Sequence, residues 1–304
     1  MKTICMLIAL MFSLSAVRAY SDGRAGFTIT VNGEKNPYQI FSVFLMPGKE
    51  VTISSDIAVS LSGDNILSDD AASKNKHTFN APENPGAYQV NIESANGGMI
   101  LNVLVLTPTL AMKGEYLNGY RIGLYPAKPL RDNPIYNAPK GLFEVTKGNQ
   151  DIKLTPHFTL KQFLCKQAGE YPKYLIVRER LLLKLEYLLE RTNEKGYRIE
   201  TFGFISGYRT PYYNKSIKNV QYSRHVYGGA ADIIIDQDQN GSMDDLNKDG
   251  VIDEKDVQIF YDIVEGEYSK ERYKPFIGGL GFYRKNGRHN GFIHVDVRGS
   301  KARW

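Results

Sequence analysis

The spacing of hydrophobic residues changes at about residue 154, and this change constrains the fold more than any other feature of the sequence. Earlier in the chain, apolar and polar residues alternate in short runs such as 27–31 and 87–92, and turn residues such as Asn32-Gly33 separate these runs. Alternation without a helical period predicts about six or seven short strands. We therefore expect residues 20–108 to form an all-β sandwich.

Beyond residue 154 the hydrophobic period becomes helical, which predicts a second domain of α+β type over residues 154–304. The clearest helix is predicted over 175–193, where leucines recur on one face and a glycine follows as a helix stop. Thr159 and Gln162 have the spacing of a capping box, which predicts a short helix through Phe163.

Residues 109–153 are rich in Gly, Pro, Tyr and Asn, and we interpret them as a connector between the two predicted domains. A chain of 304 residues is long enough for two domains. Its content of 42% hydrophobic and 23% charged residues excludes a collagen, a coiled coil or bulk disorder. The formal net charge of +5 is too small to indicate binding to nucleic acid, so no such partner is predicted.

Residues 1–19 have the pattern of an export signal. Lys2 supplies the positive start, residues 4–14 form an apolar run, and Val17-Arg18-Ala19 places small residues where a signal peptidase cuts. Since a membrane-spanning helix needs about 20 apolar residues, the run predicts a cleaved signal, with a membrane anchor as the alternative. We expect an exported protein, periplasmic or secreted, with no transmembrane segment after cleavage.

Cleavage would leave Cys165 as the one cysteine of the mature chain. No disulfide is then expected, and the protein must be stabilised by its core or by metals. The thiol is predicted to be a small buried hydrophobic group rather than a nucleophile.

Three separate segments of the second half carry residue types that bind metals. Asp232 begins a run of isoleucines that must form a buried strand, where a carboxylate is costly unless it is paired or bound to a metal. His225 lies just before a Gly-Gly turn, and His294 lies in another alternating apolar strand. A lone histidine in a strand is more often a core residue, but two imidazoles and a carboxylate on one sheet match a catalytic zinc site with an open position for water.

These segments resemble the zinc D-alanyl-D-alanine carboxypeptidases of the VanY type, which belong to the lysostaphin/carboxypeptidase/hedgehog group of peptidoglycan peptidases. The resemblance rests on Ser206-Gly207-Tyr208-Arg209-Thr210-Pro211, on the Ser-x-His-x-x-Gly-x-Ala-x-Asp pattern at 223–232, on the glycine-rich segment 278–283 and on His294-Val295-Asp296. It covers about residues 155–304. It implies an α+β zinc peptidase domain.

The resemblance also implies roles for individual residues. His225, Asp232 and His294 would bind zinc. Arg209 would bind a substrate carboxylate or polarise the scissile carbonyl, and Ser223 would hydrogen-bond the substrate or a ligand side chain. The implied activity is that of a D,D-carboxypeptidase, which hydrolyses a D-Ala-type amide of peptidoglycan stem peptides with a zinc-activated water. An endopeptidase for peptidoglycan cross-links and an inactive cell-wall binding protein are the alternatives.

The general base is the point at which the sequence departs from the family pattern. Many members place Glu or Asp three residues before the last histidine ligand, or His two residues before it, where this chain has Gly291 and Phe292. Two substitutes are available: Asp296, on the same face of its strand as the ligand histidine, and His289 on the preceding loop. Asp296 could equally orient a ligand or pair with Arg298.

An acidic insertion at 236–256 has the spacing of two overlapping calcium loops, each with a glycine at its sixth position. Loop one would use Asp236, Asp238, Asn240 and Asp244, and its twelfth residue is the weaker ligand Asn247. Loop two resembles the loops of dockerins and would use Asp245, Asn247, Asp249, Asp253 and Asp256, followed by a helix over 257–264. The calcium would be structural and would fold the insertion so that Asp232 and His294 meet, whereas a plain solvated acidic loop is the alternative.

The segment Pro85-Gly86-Ala87-Tyr88 resembles bacterial immunoglobulin-like modules, so the predicted N-terminal sandwich is expected to be immunoglobulin-like. It contains no cluster of His, Asp and Glu that could perform chemistry. A spacer or binding role is therefore expected, and a calcium-regulated adhesion module is the alternative.

Overall fold

The computed structural model describes residues 20–63 and 73–304, so the predicted signal segment 1–19 lies outside the described residues. The described part is a mixed α/β protein that consists mostly of strands in several sheets, with few helices. In both described ranges, every helix is too short or too polar to span a bilayer.

Two four-stranded sheets form the N-terminal part of the molecule. Their strands are β1 (Arg24–Val31), β2 (Glu34–Tyr38), β3 (Ile40–Leu45), β4 (Glu50–Ser55), β5 (Ser60–Gly63), β6 (Lys76–Asn80), β7 (Gly86–Ser94) and β8 (Gly97–Val105). The first sheet has the order β2-β1-β4-β6 and the second β3-β8-β7-β5. The number of strands exceeds the predicted six or seven partly because residues 34–45 divide at Gln39 into two strands that belong to different sheets.

One hydrophobic core contains side chains from both of these sheets. Ile29 and Ile53 contribute from the first sheet, and Ile92 and Leu101 from the second, and each is 1% exposed or less. Because successive side chains of a strand point to opposite faces, the alternation seen in the sequence places these residues on the inner faces.

The segment 109–153 and the residues around it form further strands. They are β9 (Thr107–Pro108), β10 (Tyr116–Leu117), β11 (Tyr120–Arg121), β12 (Gly141–Val145) and β13 (Lys173–Leu175). Strands β10 and β11 form a hairpin, and β13-β12-β9 form a three-stranded sheet. Leu117, Leu142 and Phe143 of this segment are buried in the main core, so much of the predicted connector is packed structure.

Four α-helices and five short 3₁₀ turns occur in the described residues. The helices are α1 (Leu160–Phe163), α2 (Glu179–Glu194), α3 (Pro211–Ser216) and α4 (Glu254–Glu265). The 3₁₀ turns are Thr109–Ala111, Leu130–Asp132, Pro134–Tyr136, Arg224–Tyr227 and Glu271–Phe276. The capping box predicted for α1 is present, since Gln162 Oε1 accepts the backbone N–H of Thr159 at 2.8 Å.

Helix α2 begins four residues later than the sequence predicts. Leu175 instead pairs with Phe143 in the antiparallel ladder between β12 and β13, and the backbone N–H of Arg178 donates to Gly228 O at 2.8 Å. These long-range contacts keep residues 175–178 out of the helix, although their local sequence continues its hydrophobic pattern.

Helix α2 contacts both parts of the protein. Leu183 lies in the core of the N-terminal sheets, whereas Leu182 and Leu185 lie in the main core. At its start, Glu179 accepts the backbone N–H of Phe44 at 3.0 Å. The helix therefore packs between the N-terminal sheets and the rest of the chain.

The C-terminal part is built on a five-stranded sheet. Its strands are β14 (Gly203–Ser206), β15 (Ala230–Ile234), β16 (Gly279–Tyr283), β17 (Phe292–Asp296) and β18 (Ala302–Arg303), in the order β14-β15-β17-β16-β18. Strands β15 and β17 are buried along their whole length. Cys165 is also buried in the main core, as predicted.

Candidate metal centre

Asp232 and His294 are brought together by strand pairing. They lie directly opposite each other on the antiparallel strands β15 and β17. Asp232 faces Ser206 of β14 on its other side, and His294 faces Gly281 of β16. The register places the carboxylate and the imidazole side by side in the middle of the sheet.

His225 reaches the same point from the 3₁₀ turn Arg224–Tyr227. The turn ends at Gly228 with a φ of +65°, a conformation that favours glycine. A Cβ at this position would lie 2.3 Å from the carbonyl oxygen of Ile176, so a larger residue would displace the turn. Gly228, the first glycine of the Gly-Gly pair, thus lets the turn pack against the backbone at Ile176.

The three predicted zinc ligands lie within hydrogen-bonding distance of one another. His225 Nε2 is 3.1 Å from Asp232 Oδ1 and 3.1 Å from His294 Nδ1, and His294 Nδ1 is 2.8 Å from Asp232 Oδ1. All three residues are at most 5% exposed. A tetrahedral zinc ion with bonds of about 2.0–2.2 Å holds neighbouring ligand atoms about 3.3–3.6 Å apart, so a small outward shift would accommodate one.

The outer contacts of both imidazoles fix which nitrogen faces this centre. His225 Nδ1 lies 2.7 Å from the carbonyl oxygen of Gly207, which only accepts, so the proton is on Nδ1. His294 Nε2 lies 3.2 Å from Asp296 Oδ2, which places its proton on Nε2. Two nitrogen lone pairs and a carboxylate oxygen therefore converge, and such a group requires a shared proton or a cation.

The titration behaviour of the cluster agrees with this geometry. Burial lowers the pKa of His225. Burial also acts to lower the pKa of His294, but its hydrogen bonds with Asp232 and Asp296 outweigh burial and raise it. Burial opposes ionisation of Asp232, yet the two histidines lower the pKa of its carboxyl group well below the usual range. The carboxylate is thus ionised, and His294 holds the proton most readily.

Arg209 and Ser223, predicted to act on the substrate, both line the cavity at the centre. Arg209 Nη2 donates to Asp232 Oδ2 at 2.5 Å, and its Nε donates to Ser206 Oγ at 2.8 Å. Ser223 precedes the turn that carries His225 and is 8% exposed. The guanidinium is therefore held beside the carboxylate of Asp232.

Asp296 lies behind His294, on the side away from the centre. Its two oxygens accept Nε and Nη2 of Arg298 and the backbone N–H of Gly279, besides contacting His294 Nε2. Both oxygens are engaged and the residue is fully buried. This geometry matches the orienting and Arg298-pairing roles of Asp296 and does not favour the base role.

His289 does not line the cavity. Its ring nitrogens contact its own loop, since Nδ1 accepts the backbone N–H of Gly291 at 3.2 Å and Nε2 lies 2.8 Å from Asn286 Nδ2. Burial lowers the pKa of His289. The geometry therefore gives no direct support to a base role for His289 either.

The centre opens into a cavity of about 440 Å³. It is lined by Tyr136, Arg209, Asn219, Val220, Tyr222, Ser223, Arg224, His225, Asp232, Tyr283, Phe292, His294, Arg298 and Trp304. Aromatic and arginine side chains dominate this lining, and Asp232 supplies its one carboxylate among the described residues.

The sequence interpretation missed Trp304, the one tryptophan of the chain. Its ring centroid is 5.0 Å from that of His294, and its Nε1 donates to Tyr283 Oη at 2.8 Å. A Cβ on Gly281 would lie 2.6 Å from that nitrogen, so the glycine leaves room for the ring. The 20 tyrosines of the chain are the one sequence feature that hinted at aromatic side chains around a binding cavity.

The first predicted calcium loop is closed by backbone hydrogen bonds to its first residue. Asp236 accepts the N–H groups of Asn240 at 3.0 Å and Gly241 at 2.9 Å. Carboxylate oxygens of Asp236, Asp238 and Asp244 lie within 4.8 Å of one another. Burial raises the pKa of Asp236, and the neighbouring carboxyl groups raise it further, as expected for crowded acids.

The second predicted loop repeats the same hydrogen bonds nine residues later. Asp245 accepts the N–H groups of Asp249 at 3.2 Å and Gly250 at 2.7 Å. Asp256, at the twelfth position, is fully buried and accepts the backbone N–H of Leu246 at 2.7 Å. Its carboxylate therefore holds the two ends of the loop together.

The other predicted ligands of the second loop have contacts of their own. Asp253 caps α4 by accepting the backbone N–H of Lys255 at 2.8 Å. Asp249 pairs with the Lys255 ammonium at 3.0 Å and accepts Nδ2 of Asn247 at 3.0 Å. Among the described residues, this loop does not gather three acidic oxygens as the first loop does.

The insertion packs against the loop that leads into β17. Asn290 Nδ2 donates to Ser242 Oγ at 2.6 Å, and a Cβ on Gly291 would lie 2.4 Å from Val257 of α4. The insertion also follows β15, which carries Asp232, so it adjoins both this strand and the loop before β17, which carries His294.

Comparison of the chain with protein-family models, with curated proteins and with solved structures gave no match.

Proposed function

We propose that the protein is an exported zinc metallopeptidase that acts on peptidoglycan stem peptides, most simply as a D,D-carboxypeptidase. The proposal rests on one observation: two imidazole nitrogens and a carboxylate oxygen converge within about 3 Å at a cavity, with their lone pairs directed inward. In this proposal the C-terminal part has the zinc peptidase fold that the sequence motifs imply, and the N-terminal sheets are an immunoglobulin-like module.

His225, Asp232 and His294 are the proposed zinc ligands. A bound zinc ion supplies a water of lowered pKa and polarises a carbonyl oxygen. Gly207 and Asp296 hold the two imidazoles in the tautomers that ligation requires.

Arg209 is the residue best placed to act on the substrate carbonyl in this proposal. Its contacts with Ser206 and Asp232 orient the guanidinium at the cavity wall before substrate binds. A positive group fixed in advance stabilises developing negative charge without reorganisation. Ser223, which also lines the cavity, is proposed to hydrogen-bond the bound peptide.

A binding-only role is the second candidate, and it is favoured by the acid–base content of the cavity. Beyond the three proposed ligands, no carboxylate or imidazole lines the cavity in the described residues. General bases contribute about 10²–10⁴-fold to rates. A slow peptidase or a cell-wall binding protein with a retained metal site would both fit this arrangement.

We further propose that the insertion 236–256 binds structural calcium. The carboxylates of Asp236, Asp238 and Asp244 are the hard oxygen ligands that calcium prefers. The repeated hydrogen bonds to Asp236 and Asp245 give two loops of matching shape. Calcium would support the metal centre by fixing the insertion against the loop before β17.

Digestion of purified peptidoglycan fragments with the zinc-loaded protein tests the proposed activity. Release of free D-alanine supports a carboxypeptidase, and conversion of dimers to monomers without D-alanine supports the cross-link endopeptidase. Asp232→Asn should abolish either product, whereas Asp151→Asn, at an exposed residue distant in sequence, should retain it. Binding of fragments without any hydrolysis would support the second candidate and refute the peptidase.

A further inference from the structure

Positive charge exceeds negative charge on the wall of the cavity. Arg209, Arg224 and Arg298 line it, whereas Asp232 provides the single carboxylate among the described lining residues. A divalent cation at the centre would increase this excess. A cavity of this kind attracts a ligand that carries negative charge of its own.

Two of these arginines are already committed to other contacts. Arg209 is held by Ser206 and Asp232. Arg224 is 3% exposed, and its Nη1 donates to the carbonyl oxygen of Ile135 at 2.6 Å. Burial lowers the pKa of Arg224 to about 10, which agrees with its poor access to solvent.

Arg298 differs because its side chain is 24% exposed and one edge of its guanidinium is available. Nε and Nη2 donate to Asp296 at 2.5–3.0 Å, and this contact uses the side edge of the group. A guanidinium has five N–H donors, so the end edge formed by Nη1 and the second Nη2 proton remains. Nη1 has no hydrogen-bond partner among the described residues.

Trp304 and Asp296 fix the orientation of this available edge. The Arg298 guanidinium carbon is 5.1 Å from the centroid of the Trp304 ring, within the range of a cation–π contact. The ring is in turn held by its hydrogen bond to Tyr283. An arginine fixed on one edge and one face is preorganised for bidentate binding of a planar anion such as a carboxylate.

We propose that Arg298, supported by Trp304, forms a carboxylate-binding subsite next to the metal centre. Arg298 and His294 both line the cavity, and Asp296 Oδ2 contacts both the Arg298 guanidinium and His294 Nε2. The subsite therefore shares the cavity with the point where the ligands converge. The ligand class is a peptide with a free carboxylate on the residue next to the carbonyl that the metal centre binds. This inference deepens the proposed function and rests on it for the position of that carbonyl.

Two probes that differ in one group test the subsite: Nα,Nε-diacetyl-L-lysyl-D-alanyl-D-alanine and its C-terminal carboxamide. The zinc-loaded full-length protein is titrated calorimetrically with each, and kcat/KM is compared where hydrolysis occurs. The wild type should prefer the acid by about 10- to 100-fold, the range expected for a charge-assisted bidentate contact. Arg298→Gln should remove this preference and change the carboxamide by no more than about twofold.

Further variants separate the subsite from a structural effect. Arg284→Gln, at an exposed position on the neighbouring loop, should keep the full preference for the acid. Arg298→Lys keeps a positive charge beside Asp296 but lacks the planar edge, and should lose most of the preference while its zinc content and melting temperature stay unchanged.

Each result decides the inference separately from the proposed function. Equal weakening of both probes by Arg298→Gln, an unchanged preference, or no binding of either probe would overturn the subsite. A preference for the acid that depends on Arg298, without hydrolysis of any peptide, would uphold the subsite and refute the peptidase. Hydrolysis without a preference for the acid would overturn the subsite and uphold the peptidase.

Discussion

Replacement of Lys184 by methionine should change the dependence of stability on pH. Lys184 lies on α2 and is fully buried, and its Nζ donates to the backbone carbonyl of Asp296 at 2.7 Å. Its Nζ also lies over the rings of Tyr268 and Tyr273, at 5.7 and 5.3 Å. Burial lowers the pKa of Lys184 from 10.5 to about 7.

The sign and size of the effect follow from these two pKa values. Between pH 7 and pH 10.5 the unfolded chain carries a proton on Lys184 that the folded protein lacks. Stability therefore rises with pH in this window by about 1.4 kcal/mol per pH unit. The stability gained in this way is fully present above pH 10.5 and is lost as the pH falls towards 7. Methionine has a similar length and no proton to exchange, so Lys184→Met should lack this slope.

Urea unfolding of the metal-free protein at about pH 7.5, 8.5 and 9.5 measures the difference. From the lowest to the highest pH, the wild type should gain about 2–3 kcal/mol relative to Lys184→Met. Lys161→Met removes an exposed lysine from α1 and should parallel the wild type. Parallel curves for the wild type and Lys184→Met would refute the reasoning, because they would show that Lys184 keeps its proton in the folded state.

Three further predictions concern the metal sites. His225→Ala should reduce bound zinc from about one ion per chain to none by atomic spectroscopy, because two ligands leave a catalytic site incomplete, and unchanged zinc would show that the ligand assignment is wrong. Asp296→Asn should lower zinc affinity by about 10- to 100-fold in a chelator competition, since it weakens the contact that orients His294, and an unchanged affinity would contradict that role. A calcium-selective chelator should lower the melting temperature of the wild type but not of an Asp236→Ala/Asp245→Ala variant. No shift in the wild type would show that the insertion is a plain acidic loop.

Features set by short-range pattern were predictable from the sequence. The alternation at 87–92 corresponds to a strand, and the capping box at Thr159 begins a helix. The meeting of Asp232 and His294 also followed, because both residues lie in apolar strands where an unpaired charge would be costly.

Features set by long-range contacts were not predictable in this way. The start of α2 depends on a pairing with β12, a strand about 30 residues earlier that the pattern did not reveal. The sequence left three roles open for Asp296, and the contacts that distinguish them, like the position of the Trp304 ring, depend on how β16, β17 and β18 align. The sequence pattern predicts which residues share a face of a strand. It does not predict which of their atoms point at the centre.

The position of α2 bears on whether the protein is modular. One helix supplies Leu183 to the N-terminal core and Leu182 to the main core. Cleavage of the chain near residue 108 would expose hydrophobic surface on both fragments. We therefore expect neither fragment to be stable on its own. An exchange of the N-terminal sheets between proteins would have to preserve the leucine face of this shared helix.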